Sequence, residues 1–210
     1  SLFSNLDLRI AAGERVALDG GIGSGRSALL DLLFGLREPT AGHIMIDDRD
    51  YRDLSLESLR EAVALVRGIE TFAGTIRENV RVGRHGVDDT EMLRVLDRLG
   101  LVEDIRKLPN GLDTPLSTDG RPFSQSQLMR LMLARALLMQ PRLILLDRAL
   151  DVFDPPALAR VCELLFAPDA PWTLVVVSER EDVISRCERR IALTVPEMRY
   201  QTPDPKGQPR

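Results

Sequence analysis

Lysine is almost missing from this sequence. Lys107 and Lys206 are the only two, so nearly all of its 28 basic residues are arginine. Cysteine and histidine are as scarce, represented by Cys162, Cys187, His43 and His85. Two cysteines in 210 residues exclude a disulfide framework and favour a reducing compartment. Aromatic residues make up 4%, which argues against modules that stack nucleic-acid bases. A net charge of −4 argues against general binding to nucleic acids or anionic membranes. No apolar run approaches the ~18 residues of a membrane span, and the start has no basic-then-apolar leader pattern. The chain opens at Ser1 inside a strand-like pattern, without an initiator Met, and is expected to be a fragment of a longer polypeptide.

What is present is an ordinary globular composition, 44% hydrophobic and 29% charged. Leu2–Ile10 alternates like a half-exposed strand, and Val16-Ala17-Leu18 within Arg15–Asp19 reads as a buried one. A glycine-rich loop follows, then a helix over Ala28–Gly35 and a short strand over His43–Ile46. From Leu56 the pattern turns helical. Leu59, Val63 and Val66 have helical spacing, and Thr75–Val80, Asp89–Leu99 and Val102–Leu108 read as helices, as does Ser124–Met139 before Gln140-Pro141. Buried strands are expected at Arg142–Asp147, Thr173–Val177 and Ile191–Val195, with a helix over Pro155–Phe166. Apolar strands alternating with helices predict an α/β fold with a mostly parallel sheet. The expected organisation is one domain over residues 1–201, a helical subdomain near 56–140, and a disordered tail at 202–210.

Gly20-Gly21-Ile22-Gly23-Ser24-Gly25-Arg26-Ser27 follows the phosphate-loop pattern G-x-x-x-x-G-K-[ST] except at the lysine. Glycines let backbone N–H groups converge on phosphate oxygens, and the helix that follows directs its positive end at the same anion. Arg26 keeps the charge in a larger, forked shape. The expected nucleotide-binding set is Gly20–Ser27 with Ala28.

By Asp147 the order of motifs resembles the nucleotide-binding domain of an ATP-binding cassette (ABC) transporter, exporter type, with a P-loop NTPase core. Gly20–Ser27 lies at the Walker A position, and Phe72–Val80 looks like the stretch after the Q-loop. Leu108–Leu116 resembles the approach to the signature. Phe123-Ser124-Gln125-Ser126-Gln127 stands where the family has LSGGQ, and Leu131–Leu138 matches the helix after it. Leu143–Asp147 matches Walker B and Asp151–Pro155 the D-loop. The resemblance implies ATP and Mg²⁺ as ligands, with Ser27 and Asp147 holding the metal. It implies a transmembrane domain and a second nucleotide-binding domain as partners, at the cytoplasmic face of a membrane.

The chemical positions depart from that family. Arg26 replaces the Walker A lysine, Arg67-Gly68 occupies the Q-loop region, and Gln125 and Ser126 replace both signature glycines while Ser124 and Gln127 remain. Arg148 stands where the water-polarising carboxylate belongs, and Glu179 stands at the switch histidine. The resemblance therefore implies an impaired ATPase. Two alternatives stay open: an active enzyme using Arg26 and a carboxylate such as Asp151, and an interaction module without nucleotide. Two ion pairs are expected, Arg148 with Glu179, and Arg26 with Asp147 when no nucleotide is bound.

Overall fold

A computed structural model of the chain describes residues 6–82, 86 and 88–193. In chain order its elements are β1 (Arg15–Asp19), α1 (Arg26–Leu33), β2 (Met45–Ile46), β3 (Arg49–Asp50), α2 (Leu56–Ala62), β4 (Val63–Val66), β5 (Gly74–Thr75), α3 (Ile76–Arg81), α4 (Asp89–Arg98), α5 (Val102–Arg106), β6 (Pro115–Leu116), α6 (Gln125–Leu137), β7 (Leu143–Asp147), α7 (Pro155–Leu165), β8 (Thr173–Val177), α8 (Glu181–Ile184) and β9 (Arg189–Ala192). Five strands form one parallel sheet in the order β4-β7-β8-β1-β9. Two small antiparallel pairs, β2 with β3 and β5 with β6, lie outside it.

The uninterrupted apolar runs of β7 and β8 make sense in a sheet covered on both faces. Their side chains alternate between two cores. Ile144, Leu146, Leu174 and Val176 pack on one face with Leu96, Leu131 and Leu158 from α4, α6 and α7. Leu145, Val175 and Val177 pack on the other with Leu29, Leu30 and Leu59 from α1 and α2. Trp172, at the entry to β8, is buried and donates its indole N–H to the Leu165 carbonyl at 3.0 Å, closing the end of α7.

The structure departs from the sequence reading in four places. Val63 and Val66 are not helical: α2 ends where Val63 turns extended, and β4 pairs along β7. The two β-branched residues then point to opposite cores, so the apparent helical spacing spans an element boundary. Residues 6–10 form no strand, because β9 takes the free edge of β1; residues 1–5 lie outside the described part. The last strand is Arg189–Ala192 rather than Ile191–Val195, and Val195 lies outside the described residues. His43 lies before β2, exposed. His85 and the tail 202–210 also fall outside the described residues. Among the described residues no helix is long and apolar enough to cross a membrane.

Candidate functional site

The C-terminal ends of β1, β4, β7 and β8 lie side by side, and the chain following each of them contributes to one site. Register places Leu146 of β7 opposite Val66 of β4, and Asp147 opposite Val177 of β8. Arg67, Arg148 and Ser178-Glu179 therefore leave neighbouring strand ends on the rim of the sheet where open α/β folds bind ligands.

The loop after β1 is shaped by its glycines. A Cβ on Gly20 would lie 2.5 Å from the Leu193 carbonyl oxygen and 2.6 Å from Ser24 Oγ, so no side chain fits. Gly25 precedes α1 in the left-handed region, at φ 88°. A concavity of about 270 Å³ lies over the loop, lined by residues 21–28 with Arg148 and Val177. Ser24 Oγ is buried and has no hydrogen-bond partner among the described residues. A backbone cradle at a helix start, with an unsatisfied hydroxyl, fits a nucleotide polyphosphate.

Arg26 is 7% exposed and donates from Nη2 to Glu179 Oε1 at 2.9 Å. Arg148 Nη2 reaches the same oxygen at 3.0 Å. The expected Arg148–Glu179 pair is thus present, and Arg26 joins it. The Arg148 backbone is left-handed (φ 57°) and donates its N–H to the Val177 carbonyl at 2.8 Å, which ties the turn after β7 to β8. Asp151 anchors the opposite side. It accepts from the Ser178 hydroxyl and, at 3.2 Å, from the Glu179 N–H. Both of its oxygens are taken up in holding the Glu179 turn.

The expected Arg26–Asp147 pair does not form. Asp147 Oδ2 instead accepts from Arg67 Nε at 3.0 Å. Arg67 is close to Asp147 because β4 is the neighbour of β7, whereas Arg26 faces the end of β8. Arg67 also lies 2.7 Å from Asp31 Oδ1 on α1 and donates from Nη2 to the Ser27 carbonyl at 3.3 Å. Burial works against the charge on Arg67, but Asp31 and Asp147 outweigh it and raise its pKa. Partial burial likewise opposes ionisation of Asp31, yet hydrogen bonds from Arg67 and Arg37 hold its carboxyl below the ordinary range. Arg67 and Asp31 are the site residues that sequence reasoning missed. Arg67 stands in the Q-loop region of the sequence, but no local pattern reveals its partners, which lie 36 and 80 residues away.

These contacts bear on Mg²⁺. Ser27 and Asp147, the expected ligands, flank a guanidinium that already holds the Asp147 carboxylate and the Ser27 carbonyl. A cation there would sit beside the Arg67 guanidinium, which already takes Asp147 Oδ2, so this arrangement is electrostatically poor for Mg²⁺.

The signature segment forms the start of α6. Ser124 Oγ accepts from the Gln127 N–H at 3.3 Å, and Gln127 Oε1 accepts from the Ser124 N–H at 2.8 Å, a reciprocal cap. Gln125 sits exposed in the first turn, with Ser126 half-buried beside it. Further along α6, Arg135 donates to the Asn79 carbonyl and, at 2.9 Å, to its Oδ1. Asn79 is fully buried, donates to the carbonyls of Phe72 and Thr75 at 3.0 Å each, and accepts from the Phe72 N–H at 3.2 Å. This network joins the segment after Arg67 to the signature helix. A wider groove of about 550 Å³ between α4 and α7 is chemically quieter. Its Arg160 donates to the carbonyls of Asp97 and Arg98 and so caps α4.

The family model described as "ABC transporter" matches residues 3–151. The chain is 32% identical over 195 residues to the uncharacterized ABC transporter ATP-binding protein YwjA of Bacillus subtilis, covering 92% of this chain and 34% of that protein. It is 34% identical over 193 residues to the ATP-dependent lipid A-core flippase of Ralstonia nicotianae, covering 90% and 33%. Among solved structures, a bacterial Atm1-family ABC exporter with ATP bound matches with a TM-score of 0.82 and 28% identity over 88% of this chain and 32% of that one. The chain thus spans about a third of the length of these relatives.

Proposed function

The chain belongs to the ABC transporter family, and from that premise we propose that it is an exporter nucleotide-binding domain that keeps its triphosphate cradle but lacks working hydrolytic machinery. The observation that carries this reading is the Gly21–Ala28 loop around its concavity, with Arg148 on the lining and Glu179 bonded to Arg148.

Hydrolysis needs a water aligned on the γ-phosphate and stabilisation of the charge that develops. A carboxylate can orient that water and accept its proton. Arg148 offers only hydrogen-bond donors, so it attracts phosphate without activating water. Losing a general base typically costs ~10²–10⁴-fold in rate. Asp151 does not replace it, since both oxygens are engaged with Ser178 and Glu179. Glu179 brings negative charge to where the histidine of the family would meet the γ-phosphate.

In this reading the domain works beside a transmembrane domain and a second nucleotide-binding domain, at the cytoplasmic face of a membrane. ATP binding rather than turnover at this site is its contribution. At the signature, Gln125 and Ser126 add side chains where the family's glycines let a partner's nucleotide approach.

The test is ATP affinity and phosphate release measured on one preparation of the purified chain. The expected result is saturable ATP binding, weakened about tenfold or more by Arg26→Ala, with phosphate release at the level of the protein-free control. Sustained multiple turnover overturns the impaired-ATPase reading. Absence of binding under all conditions overturns nucleotide binding altogether.

A further inference from the structure

Arg67 is bonded to both residues that the resemblance assigns to a divalent cation, to Asp147 through its carboxylate and to Ser27 through its main-chain carbonyl. Its guanidinium contacts Asp147 at 3.0 Å, Asp31 at 2.7 Å and the Ser27 carbonyl at 3.3 Å. Three contacts leave two of its five N–H donors unused. The side chain is 40% exposed, so the guanidinium is not sealed from solvent. Arg37 bonds the second oxygen of Asp31 at 2.9 Å, which fixes the carboxylate that orients Arg67.

We propose that Arg67 stands in for the divalent cation, so that this chain binds the metal-free form of a nucleoside polyphosphate. The inference rests on the nucleotide-binding reading above and adds to it the chemical form of the ligand. A planar guanidinium matches phosphate oxygens as a bidentate donor, and Asp147 positions it as it would position a hydrated metal. A divalent cation at Asp147 would have to share the carboxylate with Arg67 or sit beside its displaced like charge. Arg26 and Arg148 supply the remaining positive charge around the loop, once Glu179 yields to phosphate.

The experiment is calorimetric titration of ATP into the purified chain, with excess Mg²⁺ and separately with excess EDTA. Affinity in EDTA is expected to stay within about threefold of that in Mg²⁺. For Arg67→Gln, affinity in EDTA is expected to fall about tenfold or more and to recover with Mg²⁺, because Asp147 is then released for the metal. A thermal melt checks that the variant folds, and the parent chain alone decides the matter if it does not. A loss of about tenfold or more on chelation in the parent chain overturns the proposal. So does an Arg67→Gln variant that binds as well as its parent in EDTA. Heat-free titrations in both buffers defeat the nucleotide-binding reading itself, and this inference with it, a pattern distinct from selective loss in EDTA.

Discussion

Arg26 of the phosphate loop is bonded to Glu179, the residue that follows Ser178 at the end of β8, at 2.9 Å. The same carboxylate oxygen takes Arg148 at 3.0 Å. An internal anion thus bridges two of the cations that a triphosphate would seek. Arg26 is nearly buried and would be costly to leave unpaired, whereas Glu179 is 59% exposed and well screened by solvent. A phosphate that replaces Glu179 keeps Arg26 satisfied and releases the carboxylate to water.

Glu179→Gln removes this competitor. ATP affinity is expected to rise roughly three- to tenfold, a modest gain because the displaced carboxylate is exposed. Calorimetric titration of variant and parent side by side reads it. Unchanged or weaker binding would show that Glu179 does not compete with the nucleotide.

Asp31 ties α1 to the loop carrying Arg67, and its carboxyl is held below the ordinary range. A depressed folded-state pKa contributes stability that is complete above the unfolded value of about 3.9 and disappears as pH falls through the lowered one. Asp31→Asn is therefore expected to unfold at lower urea than the parent at pH 7. The gap should close progressively below about pH 4. A gap that persists unchanged into acid would assign the effect to packing rather than to the ion pairs.

Asn79 satisfies the backbone of the 72–75 turn and meets Arg135 while fully buried. Asn79→Ala leaves several of these groups without partners. A loss of about 2–3 kcal/mol is expected from urea denaturation. It should be accompanied by faster hydrogen exchange in the segment between Arg67 and Thr75. A loss below ~0.5 kcal/mol would mean that water replaces the amide at no cost.

Both cysteines resist ionisation. Burial pushes the Cys187 thiol up to about 11, with Cys162 and Glu188 adding to it, and burial raises Cys162 as well. Since the thiolate is the reactive form, alkylation by iodoacetamide at pH 7.5 is expected to be slow in the native chain and fast after denaturation. For Cys187 the native rate should climb steadily towards pH 11. Rapid native labelling at neutral pH would contradict this burial.

Much of the core was readable from local pattern, because a strand buried on both faces must be apolar throughout. Leu143–Asp147 and Thr173–Val177 met that requirement and became neighbouring strands. Thr75–Val80 and Ser124–Met139 were likewise legible as helices, and the structure closes each start with a reciprocal cap, to Glu78 and to Gln127. Val63 and Val66 misled because four-residue strands and helical spacing cannot be told apart in so short a window. The pairing of β4 with β7, a partner 80 residues away, decided the matter.

The sequence by itself determined the phosphate loop, since a glycine spacing is a local backbone requirement. The resemblance to the family, rather than any spacing along the chain, pointed to the Arg148–Glu179 pair, since the two residues stand at positions that face each other in that family. Only the tertiary structure decided that Arg26 turns to Glu179 and that Arg67, not Arg26, takes Asp147. The strand order β4-β7-β8-β1 places Arg67 next to Asp147 and the loop carrying Arg26 next to Glu179. Which charges meet depends on that adjacency, and no spacing along the chain encodes it.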